Sequence, residues 1–380
     1  MLIPYWNRSG EVHQLEPCPS SFQDWAQGEE APPHQRALHD AVQDITNHTI
    51  VRTSCRAMDM NMTLDATLDD GRSFIVRQRH TYPSDPVLEG WSHAKFRNEV
   101  RLLRWLKENS TLPVPTVIAV GSDFMILEKM PGSTVTLEWH FLSDKAKAHF
   151  LTMYLDAVIE IFHLPAIQRI GSASFEPDSI DTLSVGPRIA PSPSYSSSQV
   201  FDNITEYLIF LISAKRQAIT DMEVEDQERA GEALSFIEEK ITILLKNIDD
   251  PSLLRCVFTH ADLHTYNILV TQDGNITAIL DWEINYVQPA VLAVDYPGWL
   301  LDKGPFDPQF SSKDYWWDES PTERRRLSLE FEQSIQERDS VLHRCLVEGR
   351  DLRAVVAWLT DTSLDPGFDR MRAWAYAALN

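Results

Sequence analysis

The sequence predicts an α+β protein with two lobes: a small antiparallel sheet with one helix, followed by a larger, mainly helical part. Strand-like runs with turn signals are concentrated between residues 50 and 130 and return once at residues 256–281. Stretches of helical composition fill most of the remaining chain, so strands and helices do not alternate as they do around parallel sheets. With 380 residues the chain is long enough for two or three domains.

The small lobe is predicted to span residues 36–130. Residues 1–35 are rich in Pro, Gln and Glu and are expected to form a loosely structured N-terminal extension. A first hairpin is predicted where the apolar runs at residues 67–68 and 74–76 flank Asp-Asp-Gly-Arg, which is a turn sequence.

The helix of the small lobe is predicted over residues 92–107. At 100° per residue, Phe96, Val100 and Leu103 fall within about 60° of one another on the helix surface. Glu99 lies beside this apolar stripe rather than opposite it. The helix would therefore carry an acidic side chain at the edge of its buried face.

A second hairpin is predicted from the apolar runs at residues 116–120 and 124–127, joined by Gly-Ser-Asp. The Pro-Gly pair that follows at residues 131–132 should end the sheet, and the boundary to the large lobe, residues 131–380, is placed there. The helices predicted in the large lobe cover residues 145–163, 200–219 and 226–248.

A strand–turn–strand unit stands out within the helical part. Two β-rich runs, residues 268–270 and 276–280, flank Asp273-Gly274, which is typical of a two-residue turn with positive φ at both positions. Such a turn pairs Gln272 with Asn275 and thereby sets the register of the whole hairpin.

That register brings three polar residues together. Asn267 falls opposite Leu280, one residue before Asp281, at the open end of the hairpin. Asp262 lies only five residues before Asn267, on a loop that must turn back at this point. Two carboxylates and one carboxamide are therefore predicted to converge.

This set of oxygen donors suits phosphoryl-transfer chemistry. Mg²⁺ prefers a few hard oxygen ligands and completes its shell with water and phosphate oxygens. Transfer from ATP needs metal ligands, a group near the acceptor hydroxyl and a cation on the phosphates. From the residues alone an alternative stays open, in which Asp262, Asn267 and Asp281 only cap a tight loop as Asx residues.

The same residues resemble a known family. The run His-Ala-Asp-Leu-His at residues 260–264, Asn267 and the later Ile-Leu-Asp-Trp-Glu at residues 279–283 resemble the catalytic and metal loops of aminoglycoside phosphotransferases and choline kinases. Upstream, residues 74–77 resemble the third strand of that family and residues 125–132 resemble its hinge. The resemblance covers about residues 50–300 and implies a protein-kinase-like fold.

The resemblance also implies roles for individual residues. Asp262 would be the catalytic base or would orient the acceptor hydroxyl, and Asn267 and Asp281 would be ligands of Mg²⁺. His260 and His264 are four residues apart, but a metal site on them is disfavoured because they lie on a loop rather than a helix. His260 is expected to be a buried anchor of that loop.

The nucleotide site is implied in the same way. Arg77 would contact the α- and β-phosphates of ATP and pair with Glu99. The backbone of Glu128 and Met130 would hydrogen-bond adenine. Glu283 is expected either next to the metal site or at the surface.

The expected function is ATP- and Mg²⁺-dependent transfer of the γ-phosphoryl group to a hydroxyl of a small molecule. The alternative is a catalytically degenerate, kinase-like binding module, which is favoured by the absence of glycine at residues 52–61. A protein kinase is disfavoured, because no Asp-Phe-Gly and no Ala-Pro-Glu follow. The aromatic cluster Tyr315-Trp316-Trp317, with Trp299 and Phe306, is expected to pack in the core, with a substrate pocket as the alternative.

The composition of the chain restricts the classes of molecule that it is expected to bind. The formal net charge is −22, from 34 Lys and Arg against 56 Asp and Glu, which argues against nucleic acid or an anionic membrane as partner. The same charge weakly favours a cationic, hydroxylated acceptor. The four cysteines form no CxxC pair, and neither a signal peptide nor a long apolar run is recognised, so cytoplasmic residence is expected.

Overall fold

The structure is a computed structural model. It describes residues 3–6, 11–15, 24–26, 33–58, 61–175, 182–190, 196–246, 248, 250–300, 318–360, 371, 373 and 376.

The strands of the described residues are β1 (Ile3–Trp6), β2 (Val12–Leu15), β3 (Asp24–Ala26), β4 (Ile50–Met58), β5 (Asn61–Leu68), β6 (Ser73–Arg79), β7 (Val117–Val120), β8 (Phe124–Glu128), β9 (Ser133–Thr134), β10 (Ser172–Phe175), β11 (Leu183–Gly186), β12 (Cys256–His260), β13 (Ile268–Val270), β14 (Ile276–Ile279) and β15 (Asn285–Pro289). The helices are α1 (Pro33–Thr46), α2 (Pro86–Asn109), α3 (Val135–Glu138), α4 (Asp144–His163), α5 (Ile204–Thr220), α6 (Val224–Lys246), α7 (Pro251–Leu254), α8 (Ala290–Ala293), α9 (Pro321–Arg338), α10 (Ser340–Glu348) and α11 (Arg350–Thr360).

One antiparallel sheet of six strands, in the order β3-β4-β5-β6-β8-β7, forms the first part of the molecule. Strand β8 shows how it is covered. Phe124 and Ile126 pack in the cluster that holds α1, whereas Met125 and Leu127 pack in the cluster that holds α2. Because successive side chains of a strand point to opposite faces, the whole run is buried between the two helices. Both predicted hairpins of this sheet are confirmed.

The second part is helical and contains two small sheets that carry the loops of interest. Strand β12 pairs with β15, and β13 pairs with both β14 and β9. The loop at residues 261–267 therefore runs between two paired strands, and so does the loop at residues 280–284. Among the described residues no helix combines the length and the apolar character that crossing a membrane requires.

Helix α2 begins six residues before its predicted start. Asp85 caps its N-terminus by accepting hydrogen bonds from the backbone N–H groups of Val87 and Leu88, and Pro86 occupies the first turn. A capping Asp followed by Pro is a known start signal, and the apolar periodicity begins only later in the helix. The large-lobe helices predicted from residues 145, 200 and 226 correspond to α4, α5 and α6.

The expectation of a loosely structured segment at residues 1–35 differs from the structure where that segment is described. Strands β1 and β2 form a hairpin, and β3 extends the six-stranded sheet by pairing with β4. These strands are three or four residues long, too short for composition to reveal them. Strand β15 was also missed, because its partner β12 lies far away in the sequence.

The turn predicted between β13 and β14 is wrong in type. Gly274 has φ of +85°, but among the described residues the only non-glycine residues with positive φ are Asn47 and Asp281. The backbone N–H of Gly274 donates to the carbonyl of Thr271, and the backbone N–H of Thr271 donates to the carbonyl of Asn275. Three residues, 272–274, therefore lie between the paired residues Thr271 and Asn275, instead of the two that were predicted.

The register at the other end of this hairpin is nevertheless the predicted one. The turn pairs Val270 with Ile276, one residue away from the predicted register. A bulge between Leu269 and Val270 then shifts the pairing back, so that Ile268 lies opposite Ile279 as expected. The two departures cancel before the hairpin reaches its open end.

We expect Gly274→Ala to lower the free energy of unfolding by roughly 2–4 kcal/mol. A Cβ at this position would lie 2.1 Å from the carbonyl oxygen of Ala146 at the start of α4, and the positive φ adds strain. The control is Gly71→Ala, which has the same φ of +85° but no atom within 4 Å of the added Cβ. Urea unfolding should show a loss of only about 1–2 kcal/mol for the control. Equal losses would contradict the steric argument.

Candidate active site

The loop between β12 and β13 is anchored by His260. Its Nε2 lies 2.8 Å from the carbonyl oxygen of Leu280, and its Nδ1 accepts a hydrogen bond from the backbone N–H of Asp262 at 3.2 Å. These partners place the proton on Nε2. Burial lowers the pKa of His260, which keeps the ring neutral. The imidazole thus ties Asp262 to the residue that precedes Asp281, as expected of a buried anchor.

Asn267 is fixed by Asp262. Its Nδ2 donates to the backbone carbonyl of Asp262 at 2.9 Å and to Oδ2 of the same residue at 3.1 Å. Its own backbone carbonyl accepts from the N–H of Leu280 at 2.8 Å. Oδ1 of this buried side chain has no hydrogen-bond partner among the described residues. The carboxamide is therefore oriented with a spare oxygen.

The carboxylate of Asp262 is also held by His264. Nε2 of His264 lies 3.3 Å from Oδ1 of Asp262, and both side chains are about half exposed. The hydrogen bond from His264 lowers the pKa of Asp262, and the same contact raises the pKa of His264. Asp262 is consequently ionised at neutral pH, with one oxygen towards Asn267 and the other towards His264.

Asp281 has an unusual backbone conformation. Its φ is +62°, which a non-glycine residue adopts only where the surrounding structure holds it there. Its carboxylate is partly exposed, and Oδ1 accepts a hydrogen bond from Nη2 of Arg77 at 2.6 Å. Because Leu280 is hydrogen-bonded to Asn267, the structure brings Asp262, Asn267 and Asp281 to the same end of the hairpin.

Arg77 lies at the centre of a buried ion cluster. Its Nε is 3.3 Å from Oε2 of Glu99, and its Nη2 is 3.3 Å from Oε2 of Glu283 as well as close to Asp281. Burial lowers the pKa of Arg77, but the three carboxylates outweigh it and raise the pKa overall. Burial raises the pKa of Glu99 to about 8, which the charge of Arg77 offsets only in part. Glu99 therefore carries less than a full negative charge near neutral pH.

Lys95 belongs to the same cluster and was not predicted. Its ammonium is 2.8 Å from Oε1 of Glu283 and 4.3 Å from the centroid of the Trp91 ring, and the residue is 2% exposed. Asn61 of β5 donates to Oε2 of Glu283 at 2.8 Å. The feature of the sequence that could have indicated Lys95 is its position one helical turn before Glu99. Glu283 thus links the sheet, helix α2 and the loop of Asp281. It is buried, so of the two expected positions the surface position is not the one observed.

The predicted hinge follows strand β8. The backbone N–H of Glu128 donates to the carbonyl of Thr116 at 2.9 Å, so this N–H belongs to the sheet. The side chain of Glu128 accepts from the hydroxyl of Thr116 at 2.6 Å, which lowers the pKa of the carboxyl. The backbone of Met130 has no backbone hydrogen-bond partner among the described residues. The backbone of Met130 therefore remains for a ligand.

The donor set fits a divalent cation with oxygen ligands. Asn267 presents an oxygen that no described residue uses, and Asp281 presents a carboxylate that is only partly occupied by Arg77. Mg²⁺ binds through one or two such protein oxygens and takes its remaining ligands from water and phosphate.

The chain is similar to known phosphotransferases. The model of the phosphotransferase enzyme family matches residues 63–296. "Clavilactone A biosynthesis cluster protein Y" of Ampulloclitocybe clavipes is 41% identical over 385 residues, which cover 98% of this chain and 95% of that protein. The match to the family model includes both loops and the ion cluster around Arg77.

Solved structures of aminoglycoside phosphotransferase APH(4)-Ia share the fold. A thermostable mutant in ternary complex with AMP-PNP and hygromycin B has a TM-score of 0.52 and 14% identity, and the similarity covers 90% of this chain and 98% of that chain. A complex of another mutant with ADP and hygromycin B has the same TM-score and identity, with 90% and 99% coverage. The predicted two-lobed, protein-kinase-like α+β fold is confirmed.

Of the predicted aromatic cluster, Trp299 packs edge-on against Tyr154, whereas residues 306 and 315–317 lie outside the described residues.

We expect Asp262→Asn to lower the pKa of His264 towards its ordinary value of about 6.5. The carboxylate raises the folded-state pKa, so the contact stabilises the fold below about pH 6.5, and this contribution is lost as pH rises through the raised value. An NMR titration of the His264 ring gives the pKa directly. Asp273→Asn, at the far end of the hairpin, is the control and should leave it unchanged. An unaltered pKa in Asp262→Asn would show that the pair does not form.

We expect Lys95→Met to lower the free energy of unfolding by about 3–5 kcal/mol, because it leaves the buried carboxylate of Glu283 short of a counter-charge. The double variant Lys95→Met/Glu283→Gln should lose less than the single variant. Urea unfolding of both, together with the single variant Glu283→Gln, measures the coupling. Arg326→Met, in the exposed pair with Glu323, is the control, for which a loss of about 0–1 kcal/mol is expected. A double variant as unstable as the sum of the single ones would contradict the pairing.

Proposed function

Because the chain belongs to the phosphotransferase enzyme family, we propose that it transfers the γ-phosphoryl group of ATP to a hydroxyl of a small molecule, with Mg²⁺ as cofactor. The observation that carries the proposal is the arrangement around Asp262. One of its carboxylate oxygens contacts Asn267 and the other contacts His264, at the end of the hairpin that leads to Asp281.

Asp262 orients the acceptor hydroxyl and accepts its proton as the new P–O bond forms and the bond from the γ-phosphorus to the β-phosphate oxygen breaks, with ADP as the leaving group. Its hydrogen bonds to Asn267 and His264 hold the carboxylate in one orientation before the acceptor arrives. Its lowered pKa keeps it ionised and ready to accept. Its partial exposure leaves room for the acceptor beside it. Proton acceptance by a positioned group typically contributes 10²–10⁴-fold to the rate.

Asn267 and Asp281 are the proposed ligands of Mg²⁺, which when bound supplies positive charge to the phosphate oxygens. Arg77 is the proposed cation for the α- and β-phosphates. Its guanidinium carries five N–H donors, and its contacts with Glu99, Asp281 and Glu283 involve Nε and Nη2. Nη1 is therefore the group that we assign to the nucleotide.

The adenine base is assigned to the hinge. The backbone N–H and C=O of Met130 have no backbone partner among the described residues, and we assign the base to them together with the carbonyl of Glu128. Backbone groups at the end of a buried strand are fixed in direction, so they can recognise the edge of a planar base.

The acceptor is proposed to be an intermediate of a small-molecule biosynthesis. The relative from Ampulloclitocybe clavipes is named as a biosynthesis cluster protein, and it matches nearly the whole chain. The hygromycin B complexes are of proteins only 14% identical, so they give no reason to choose an aminoglycoside. A cationic acceptor, which the net charge of −22 favours, is one of the classes to be tested.

A second candidate is the kinase-like binding module without catalysis. The observation in its favour is the 2.6 Å contact between Arg77 and Asp281, which occupies an oxygen that Mg²⁺ would need. The absence of glycine from residues 52–61 points the same way, since glycine lets a backbone approach phosphates closely.

We expect Asp262→Asn to reduce turnover by about 10²–10⁴-fold, because the amide cannot accept the proton of the acceptor. The measurement is ADP release over a panel of hydroxylated metabolites, including amino alcohols, with and without Mg²⁺. The control is Asp202→Asn, an exposed carboxylate paired with Arg169, which should retain full turnover. Unchanged turnover in Asp262→Asn would remove the assigned role.

Thermal unfolding with ATP and Mg²⁺ separates the two candidates. A nucleotide at 100 times its dissociation constant stabilises the folded state by about 2.7 kcal/mol, in the wild type and in Asp262→Asn alike. The absence of any shift at millimolar ATP, together with no ADP release, would favour the binding module.

A further inference from the structure

A cavity of about 190 Å³ lies behind the loop of Asp262. Helix α4 forms one wall, and residues 293–298, which begin at the end of α8, form another. Ala261 and Leu263, the two neighbours of Asp262 in the chain, line the side towards the loop. An apolar cavity of about 150 Å³ is large enough to take up benzene. The volume here therefore suits a molecule with a single ring.

The walls combine apolar and aromatic side chains with polar groups. They include Val158, Phe162 and Phe258, which are buried or partly buried members of the main hydrophobic core. Small-molecule sites are typically lined in this way, with a few polar groups that set the orientation of the ligand.

Tyr154 supplies one polar group that the protein does not use. Its ring packs against Phe150, Trp299 and Phe331, with centroid distances of 6.2, 4.9 and 6.1 Å. The residue is 5% exposed, and its hydroxyl has no hydrogen-bond partner among the described residues. Tyrosine hydroxyls in apolar surroundings usually find a hydrogen-bond partner, so this one is available to a ligand in the cavity.

Asp295 supplies a second polar group, at the mouth of the cavity. Its Oδ1 accepts from the backbone N–H of Tyr296 at 2.8 Å, and its Oδ2 is 3.6 Å from Nε of Arg353. The charge of the carboxylate is therefore already balanced by a buried guanidinium. A ligand in the cavity meets a donor and an acceptor but no net charge.

We propose that this cavity binds a neutral, single-ring molecule that carries a hydroxyl group. The ring occupies the apolar part of the cavity, and the hydroxyl group hydrogen-bonds to Tyr154 and Asp295. The ligand contacts the residues on either side of Asp262, so it lies against the catalytic loop. The proposal goes beyond the transferase assignment and does not depend on it, because it concerns binding alone.

The probes are phenol and toluene, which have similar size and differ in the hydroxyl group. Both are titrated into the full chain by ligand-observed NMR or calorimetry. We expect phenol to bind roughly 3- to 10-fold more tightly than toluene, the effect of one buried hydrogen bond. Tyr154→Phe should reduce this preference, because only Asp295 is then left to bond the hydroxyl group, while leaving the affinity for toluene unchanged.

The location is tested with a variant that fills the cavity. Val158→Phe adds bulk to the wall formed by α4 and should abolish binding of both probes. Val347→Phe, which makes the same change at an exposed position of α10, is the matched control and should bind as the wild type does. Melting temperatures of both variants report whether the fold is kept, and a toluene titration of Tyr154→Phe covers the case in which Val158→Phe fails to fold.

Two sources of such a ligand are possible and share this chemistry: the acceptor itself and an effector. Competition of phenol against the identified acceptor would assign the cavity to the acceptor, and a change in kcat alone would assign it to an effector. Binding can be measured even if no turnover is found, so its failure is distinct from failure of the transferase proposal. Equal affinity for phenol and toluene, no binding of either up to their solubility, or full binding in Val158→Phe would each overturn the proposal.

Discussion

The carboxylate of Glu283 is the point at which the sheet, helix α2 and the loop of Asp281 are joined. It accepts a hydrogen bond from Asn61 of the sheet and pairs with Arg77 of the sheet and Lys95 of the helix. The residue is 4% exposed. Buried charges of this kind are stable only when they are paired with opposite charges, since an unpaired buried charge costs several kcal/mol. The position of Arg77, and with it the proposed phosphate site, therefore depends on a network in which each member needs the others.

The loop of Asp262 depends on a different kind of contact. Neutral His260 connects it to Leu280, and Asn267 connects it to both Asp262 and Leu280. These bonds involve backbone groups and run between two loops that each lie between paired strands. The carboxylate of Asp262 is thus held by the small sheets of the second part, while the cluster around Glu283 connects this site to the first part. The cavity behind the loop lies among the aromatic side chains of the helical core.

Much of the local architecture could be predicted because it depends on residues close together in the chain. The two hairpins of the first sheet, the three large helices and the convergence of Asp262 and Asn267 belong to this group. The hairpin that leads to Asp281 reached its predicted register although its turn was of another type, because a bulge compensated. Strand β15 was missed because its partner is distant and its sequence has no period of its own.

The sequence by itself determined where the oxygen donors stand, since a few residues of chain and one hairpin leave little freedom of placement. Only the tertiary structure decided which charges pair. Lys95 and Glu283 are 188 residues apart and Arg77 and Asp281 are 204 apart. Their attraction depends on exclusion from water, because the same pair contributes far less in a solvent of high dielectric constant. Burial arises from the packing of the whole chain, which no short stretch of sequence specifies, and the same holds for the cavity beside Tyr154.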